Sequence, residues 1–70
     1  MENMMYLLDL ERTIQSGQTW FWKSGRRGYT TNLVEAGIYS FQAASEIVKN
    51  DMDEATIMIS LAQVRKAMKL

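Results

Sequence analysis

Trp20, Phe21, Trp22, Lys23, Arg26, Arg27 and Tyr29 lie within ten residues, and their chemistry is that of non-covalent binding. Arginine forks match phosphate or carboxylate through paired hydrogen bonds. Gly25 and Gly28 let backbone N–H groups approach an anion, and aromatic rings nearby can stack on a base or on a partner side chain. The order of a phosphate-binding P-loop, GxxxxGK[ST], is absent. The chain has no histidine and no cysteine, which removes the commonest general base, every Ser-His or Cys-His nucleophile and any thiolate zinc site. Catalysis would have to rest on carboxylate, lysine or tyrosine alone, so the expectation is a protein that is not an enzyme and uses no cofactor. A plainer reading makes Lys23, Arg26 and Arg27 a solvated turn.

The elements that must position these residues follow from periodicity. Trp20-Phe21-Trp22 suits an extended strand, with the tryptophans on one face and Phe21 on the other. Lys23 to Gly28 reads as a turn whose two glycines can take positive φ. Core packing of the tryptophans under helices would pass the binding role to Phe21 with Lys23; otherwise the faces are reversed. Which aromatic face is exposed is left open by the sequence. Upstream, Met1 to Met4 read as loose. Tyr6, Leu8 and Leu10 alternate with Leu7, Asp9 and Glu11, predicting a strand with one buried face. The economical reading is an antiparallel hairpin of roughly Met5–Glu11 with Thr19–Lys23; its rival is a helix from Met4 to Ile14.

Downstream, Asn32 and its neighbours offer caps for one turn over Leu33–Ala36, closed by Gly37 at the C′ position. Tyr29 and Tyr39 are expected to bracket that turn. Ser40 is a good N-cap for a helix with Phe41, Ala44 and Val48 on one face, ending near Lys49-Asn50. Asp51, Asp53 and Glu54 are too few for a metal site and are read as acidic residues favoured at a helix N-terminus. Residues 54–69 could form one helix, but Thr56 to Ser60 alternate and Ser60-Leu61-Ala62-Gln63 is a capping box. These favour a third strand followed by a helix Leu61–Met68. The predicted class is α+β: one domain over residues 1–70, an antiparallel hairpin with a possible third strand, packed against two short helices.

Eight basic and eight acidic residues cancel, whereas a general nucleic-acid binder usually carries basic excess. No apolar run reaches the length of a membrane span, and a signal peptide's basic start and apolar core are missing. A cytoplasmic chain without membrane contact is expected. Seventy residues bury little core, so a homo-oligomer is a further expectation.

The spacing Trp22…Gly28-Tyr29-Thr30-Thr31-Asn32…Glu35-Ala36-Gly37-Ile38-Tyr39-Ser40 resembles a family of small phage and prophage proteins. In that family a tryptophan-rich strand precedes "GYT", then "EAG", an aromatic residue and a helix rich in alanine and glutamate. The resemblance covers about residues 20 to 64, and this chain departs from it at Ser60, where the family often has proline. It implies a viral origin and an infected bacterial host, and brings no activity with it. The expected function is binding and inhibition of a host or anti-phage defence protein by occupying its surface. One alternative is an oligomer that sequesters a phosphate-bearing nucleotide signal on Arg26 and Arg27, with Phe21 or Tyr29 stacking. Another is a small nucleic-acid-binding regulator.

Overall fold

The chain turns from strand to helix at Asp9. In the computed structural model, which describes residues 4–68, β1 runs Met4–Asp9 and α1 runs Leu10–Ser16. The Asp9 carboxylate accepts the Arg12 N–H at 3.0 Å, satisfying one of the donors that a helix start leaves without a partner. The predicted strand Met5–Glu11 therefore stops at Asp9, and the rival helix Met4–Ile14 exists only from Leu10. Met4, expected to be loose, begins β1; residues 1–3 lie outside the described residues.

The remaining elements are β2 Phe21–Trp22, β3 Tyr29–Thr30, β4 Tyr39–Ser40, α2 Phe41–Lys49, β5 Thr56–Ser60 and α3 Leu61–Met68. The five strands form one antiparallel sheet with β1 at its centre. β5 takes one whole edge of β1, from Met5↔Ser60 to Asp9↔Thr56. The other edge is shared: β4 pairs at Met4↔Ser40 and Met5↔Tyr39, and β2 pairs at Leu8↔Phe21. β3 lies outside β2 through Phe21↔Thr30 and Trp22↔Tyr29. The fold is the expected α+β class, with two extra two-residue strands and a third helix, α1.

Helices cover both faces of β1. On one face Tyr6 and Phe21 pack with Ala36 and Val64 of α3, flanked by Leu33, Ile59 and Leu61. On the other, Leu7 and Ala44 of α2 are fully buried. Adjacent residues Tyr6 and Leu7 are thus both interior, which corrects the expectation of one buried face.

Caps set the helix boundaries. Ser40 accepts the Ala43 N–H at 3.1 Å and opens α2 as expected. The Ser60 hydroxyl accepts the Gln63 N–H at 3.1 Å, while Gln63 Oε1 accepts the Ser60 N–H at 3.2 Å. This reciprocal box ends β5 and starts α3, so residues 56–68 are strand plus helix rather than one helix.

Two readings are corrected. Leu33–Glu35 is a single 3₁₀ turn capped by Asn32, but its C-cap is an extended Ala36. Gly37 is needed instead for close approach, since a Cβ there would lie 2.6 Å from the Ser24 amide nitrogen and 2.8 Å from the Lys23 carbonyl carbon. Asp51, Asp53 and Glu54 start no helix; they form the loop between α2 and β5, where the Asp51 carboxylate accepts the N–H groups of Asp53 at 3.2 Å and Ala55 at 2.9 Å.

Candidate functional site: an arginine–aromatic stack

Alternation along β2 sends Phe21 and Trp22 to opposite faces. Phe21 is 2% exposed and belongs to the core cluster, so the binding role expected for it on the surface falls away. Trp22 is half-buried on the α2 side of the sheet, so the alternative with reversed faces holds. Opposite it on β3 stands Tyr29, and their rings meet edge to face at 5.6 Å and 78°. Two guanidinium groups complete a continuous stack. Arg12 of α1 lies 4.0 Å from the Tyr29 ring centroid, and Arg26 lies 5.6 Å from that of Trp22. Both distances fall within cation–π range.

The loop carrying Arg26 is closed from below and from the side. Lys23 N–H donates to the Gly28 carbonyl at 2.8 Å, sealing the hairpin between β2 and β3. Gly25 and Gly28 have φ of 65° and 128°, as the turn reading requires, and Arg26 itself sits at φ 59°. A side chain in the left-handed region costs about 1 kcal/mol or more and persists only where its surroundings hold it. The Tyr39 hydroxyl does so, accepting the Arg26 N–H at 3.2 Å and donating to the Lys23 carbonyl. Tyr39 was expected to bracket the Leu33–Ala36 turn with Tyr29; its hydroxyl clamps the arginine loop instead. Gly37 N–H adds a bond to the Trp22 carbonyl at 2.8 Å.

The other site residues from the sequence are dispersed. Trp20 is half-buried and tied to α1: its Nε1 donates to Ser16 Oγ and its backbone N–H to Thr13 Oγ1, each at 2.9 Å. Lys23 and Arg27 are exposed beside the stack. Sequence reasoning missed Arg12. Its only signal was its place three residues after the cap Asp9, whose Oδ2 lies 3.9 Å from Arg12 Nη1. Trp22 Nε1 is buried with no hydrogen-bond partner among the described residues, and nothing in the structure explains it.

Next to the stack, between the sheet and the loop after α2, is a cleft of about 410 Å³ bordered by Asp9, Trp22, Arg26, Tyr29, Asp51 and Thr56. Asp51 is held below its ordinary carboxylate pKa, first by a hydrogen bond from the Thr56 side chain and then by backbone N–H groups of residues 53, 55 and 56. Glu11 and Asp53 add further carboxylates to the cleft walls. No group of three metal-ligating side chains converges among the described residues. No helix among them is long and apolar enough to cross a membrane. The arrangement can therefore present two oriented guanidinium groups and two aromatic rings, with acidic side chains close behind. No protein family, curated protein or solved structure was found to match the chain.

Proposed function

We propose that this chain is a non-enzymatic, phage-encoded binding protein that acts in the host cytoplasm and inhibits a host or defence protein by occupying its surface. The observation that carries this reading is the stack Arg12–Tyr29–Trp22–Arg26. Tryptophan, tyrosine and arginine are the side chains most enriched among interface hot spots. Held against one another, they lose less conformational freedom on binding than free side chains would.

A phosphate-bearing nucleotide is the weaker reading. Asp9, Glu11, Asp51 and Asp53 border the same cleft as Arg26 and would repel an anion there. Nucleic acid is disfavoured by the same carboxylates and by the absence of net positive charge.

The test is capture of partners from host lysate on the immobilised protein, followed by mass spectrometry of proteins and released small molecules. Arg12→Ala with Arg26→Ala should lose the captured protein while keeping the native circular dichroism. A partner retained equally by this double variant would place the interface elsewhere. Release of a nucleotide that the double variant no longer binds would favour sequestration.

A further inference from the structure

Three depressions adjoin one another around the loop after α2. The cleft of about 410 Å³ beside the stack shares Glu11, Asp53 and Ala55 with a depression of about 460 Å³ against α1. It also shares Arg26, Ile47 and Asn50 with a smaller one of about 220 Å³ against α2. Their walls hold Asp9, Glu11, Glu46, Asp51, Asp53 and Glu54, six of the chain's eight acidic residues. Among the described residues these walls include one basic side chain, Arg26. The chain as a whole is neutral, so the molecule is polarised. Arg65 and Lys66 lie on α3, which covers the face of the sheet opposite α2. The same walls leave apolar side chains in solvent: Ile14 of α1 is 72% exposed, and Met52, between Asp51 and Asp53, is 94% exposed.

We infer that this groove receives a segment of the inhibited protein that carries lysine or arginine among apolar side chains. The inference rests on the reading of this face as a protein-binding surface. Charge selects the occupant. A cationic segment is drawn to clustered carboxylates, and the one like charge it meets in the walls, Arg26, is held against Trp22. An acidic peptide or a nucleic acid would meet six carboxylates instead. Apolar exposure selects a protein segment over a small polycation. A polyamine neutralises carboxylates but leaves Ile14 and Met52 in water, whereas apolar side chains of a partner cover them. Methionine is unbranched and flexible, so Met52 can follow an irregular partner surface. The stack and the groove share Arg26, Trp22 and Tyr29, so one partner reaches both.

Fluorescence anisotropy with two short labelled peptides tests this, one of arginine and leucine in equal number, the other with glutamate in place of arginine. The arginine peptide should bind about tenfold or more tightly than the glutamate peptide, and its affinity should fall as salt rises. Glu11→Lys with Asp53→Lys, both at exposed positions, should weaken the arginine peptide by about tenfold or more. Ile14→Ser with Met52→Ser should weaken it by about tenfold without changing the salt dependence. Equal binding of the two peptides, or full-strength binding by the Glu11–Asp53 variant, overturns the inference. An Ile14–Met52 variant that binds as the wild type does would make the occupant a small polycation, and overturns it too. The comparison of the two peptides needs no variant, so it decides even if one fails to fold. Capture from lysate separates the groove from the stack. A partner lost by Arg12→Ala with Arg26→Ala but kept by the Glu11–Asp53 variant overturns the groove alone. The reverse pattern supports the groove and moves the anchor off the stack.

Discussion

Gly37 lies under Ser24 so closely that a side-chain carbon on the glycine would sit 2.6 Å from the Ser24 amide nitrogen. That contact is backbone against backbone, which cannot swing aside as a flexible side chain would. Gly37→Ala should therefore cost roughly 1–3 kcal/mol, the usual range for overpacking, in chemical denaturation. A change within about 0.5 kcal/mol would show that the arginine loop shifts freely.

Tyr39→Phe keeps the ring and removes the hydroxyl that accepts from Arg26 N–H and donates to the Lys23 carbonyl. Stability should fall by about 1 kcal/mol, the net worth of such hydrogen bonds. The more specific expectation is local: the Arg26 amide should exchange with solvent much faster, because its acceptor is gone. Unchanged protection at Arg26 would mean that the loop is held without Tyr39.

Leu7 is completely buried between β1 and α2, so Leu7→Ala should cost about 2–5 kcal/mol. For a domain of this size a loss of that order should lower the melting temperature by roughly 10 °C or more. Val34→Ala, at a position 92% exposed, should change stability by less than about 0.5 kcal/mol. Paired thermal melts of the two variants check this contrast.

Asp51 gives a pH signature. Its folded pKa lies below the ordinary 3.8 because hydrogen bonds from Thr56 and neighbouring amides favour the carboxylate. The unfolded chain then takes up the proton first as the pH falls. The stabilisation is fully present above about pH 4 and disappears as the pH drops through the folded value. Asp51→Asn should be less stable than wild type at pH 7, and the gap should close in acid. Equal stability at pH 7, by urea denaturation, would show that the loop after α2 does not depend on the charge.

The elements that the sequence made legible are those with local chemistry at their ends. Ser40 and the Ser60–Gln63 box place α2, β5 and α3 correctly, because a cap and its target lie within three residues. Helix α1 carried the same kind of signal in Asp9 and Gly17, but the alternation of Tyr6, Leu8 and Leu10 ran across the boundary and hid it. Long-range contacts were not legible. Strand periodicity separates Phe21 from the two tryptophans but cannot say which side is deeper, since that depends on α3 and Ala36 covering one face. Likewise, Gly37 looks like a helix terminator until Ser24 is seen against it, and Arg12 joins the site only once α1 is folded over β3.

The central position of β1 also sets the order of events during synthesis. Tyr6 pairs with Ile59 and Leu7 with Met58, so β1 finds its longest partner nearly the whole described chain later. Until β5 emerges, one edge of β1 is bare and Leu7 has only part of its cover. Contacts so distant in sequence slow folding relative to a helical chain of equal size. Until the two strands meet, an apolar strand is open to chaperones and to other unfolded chains.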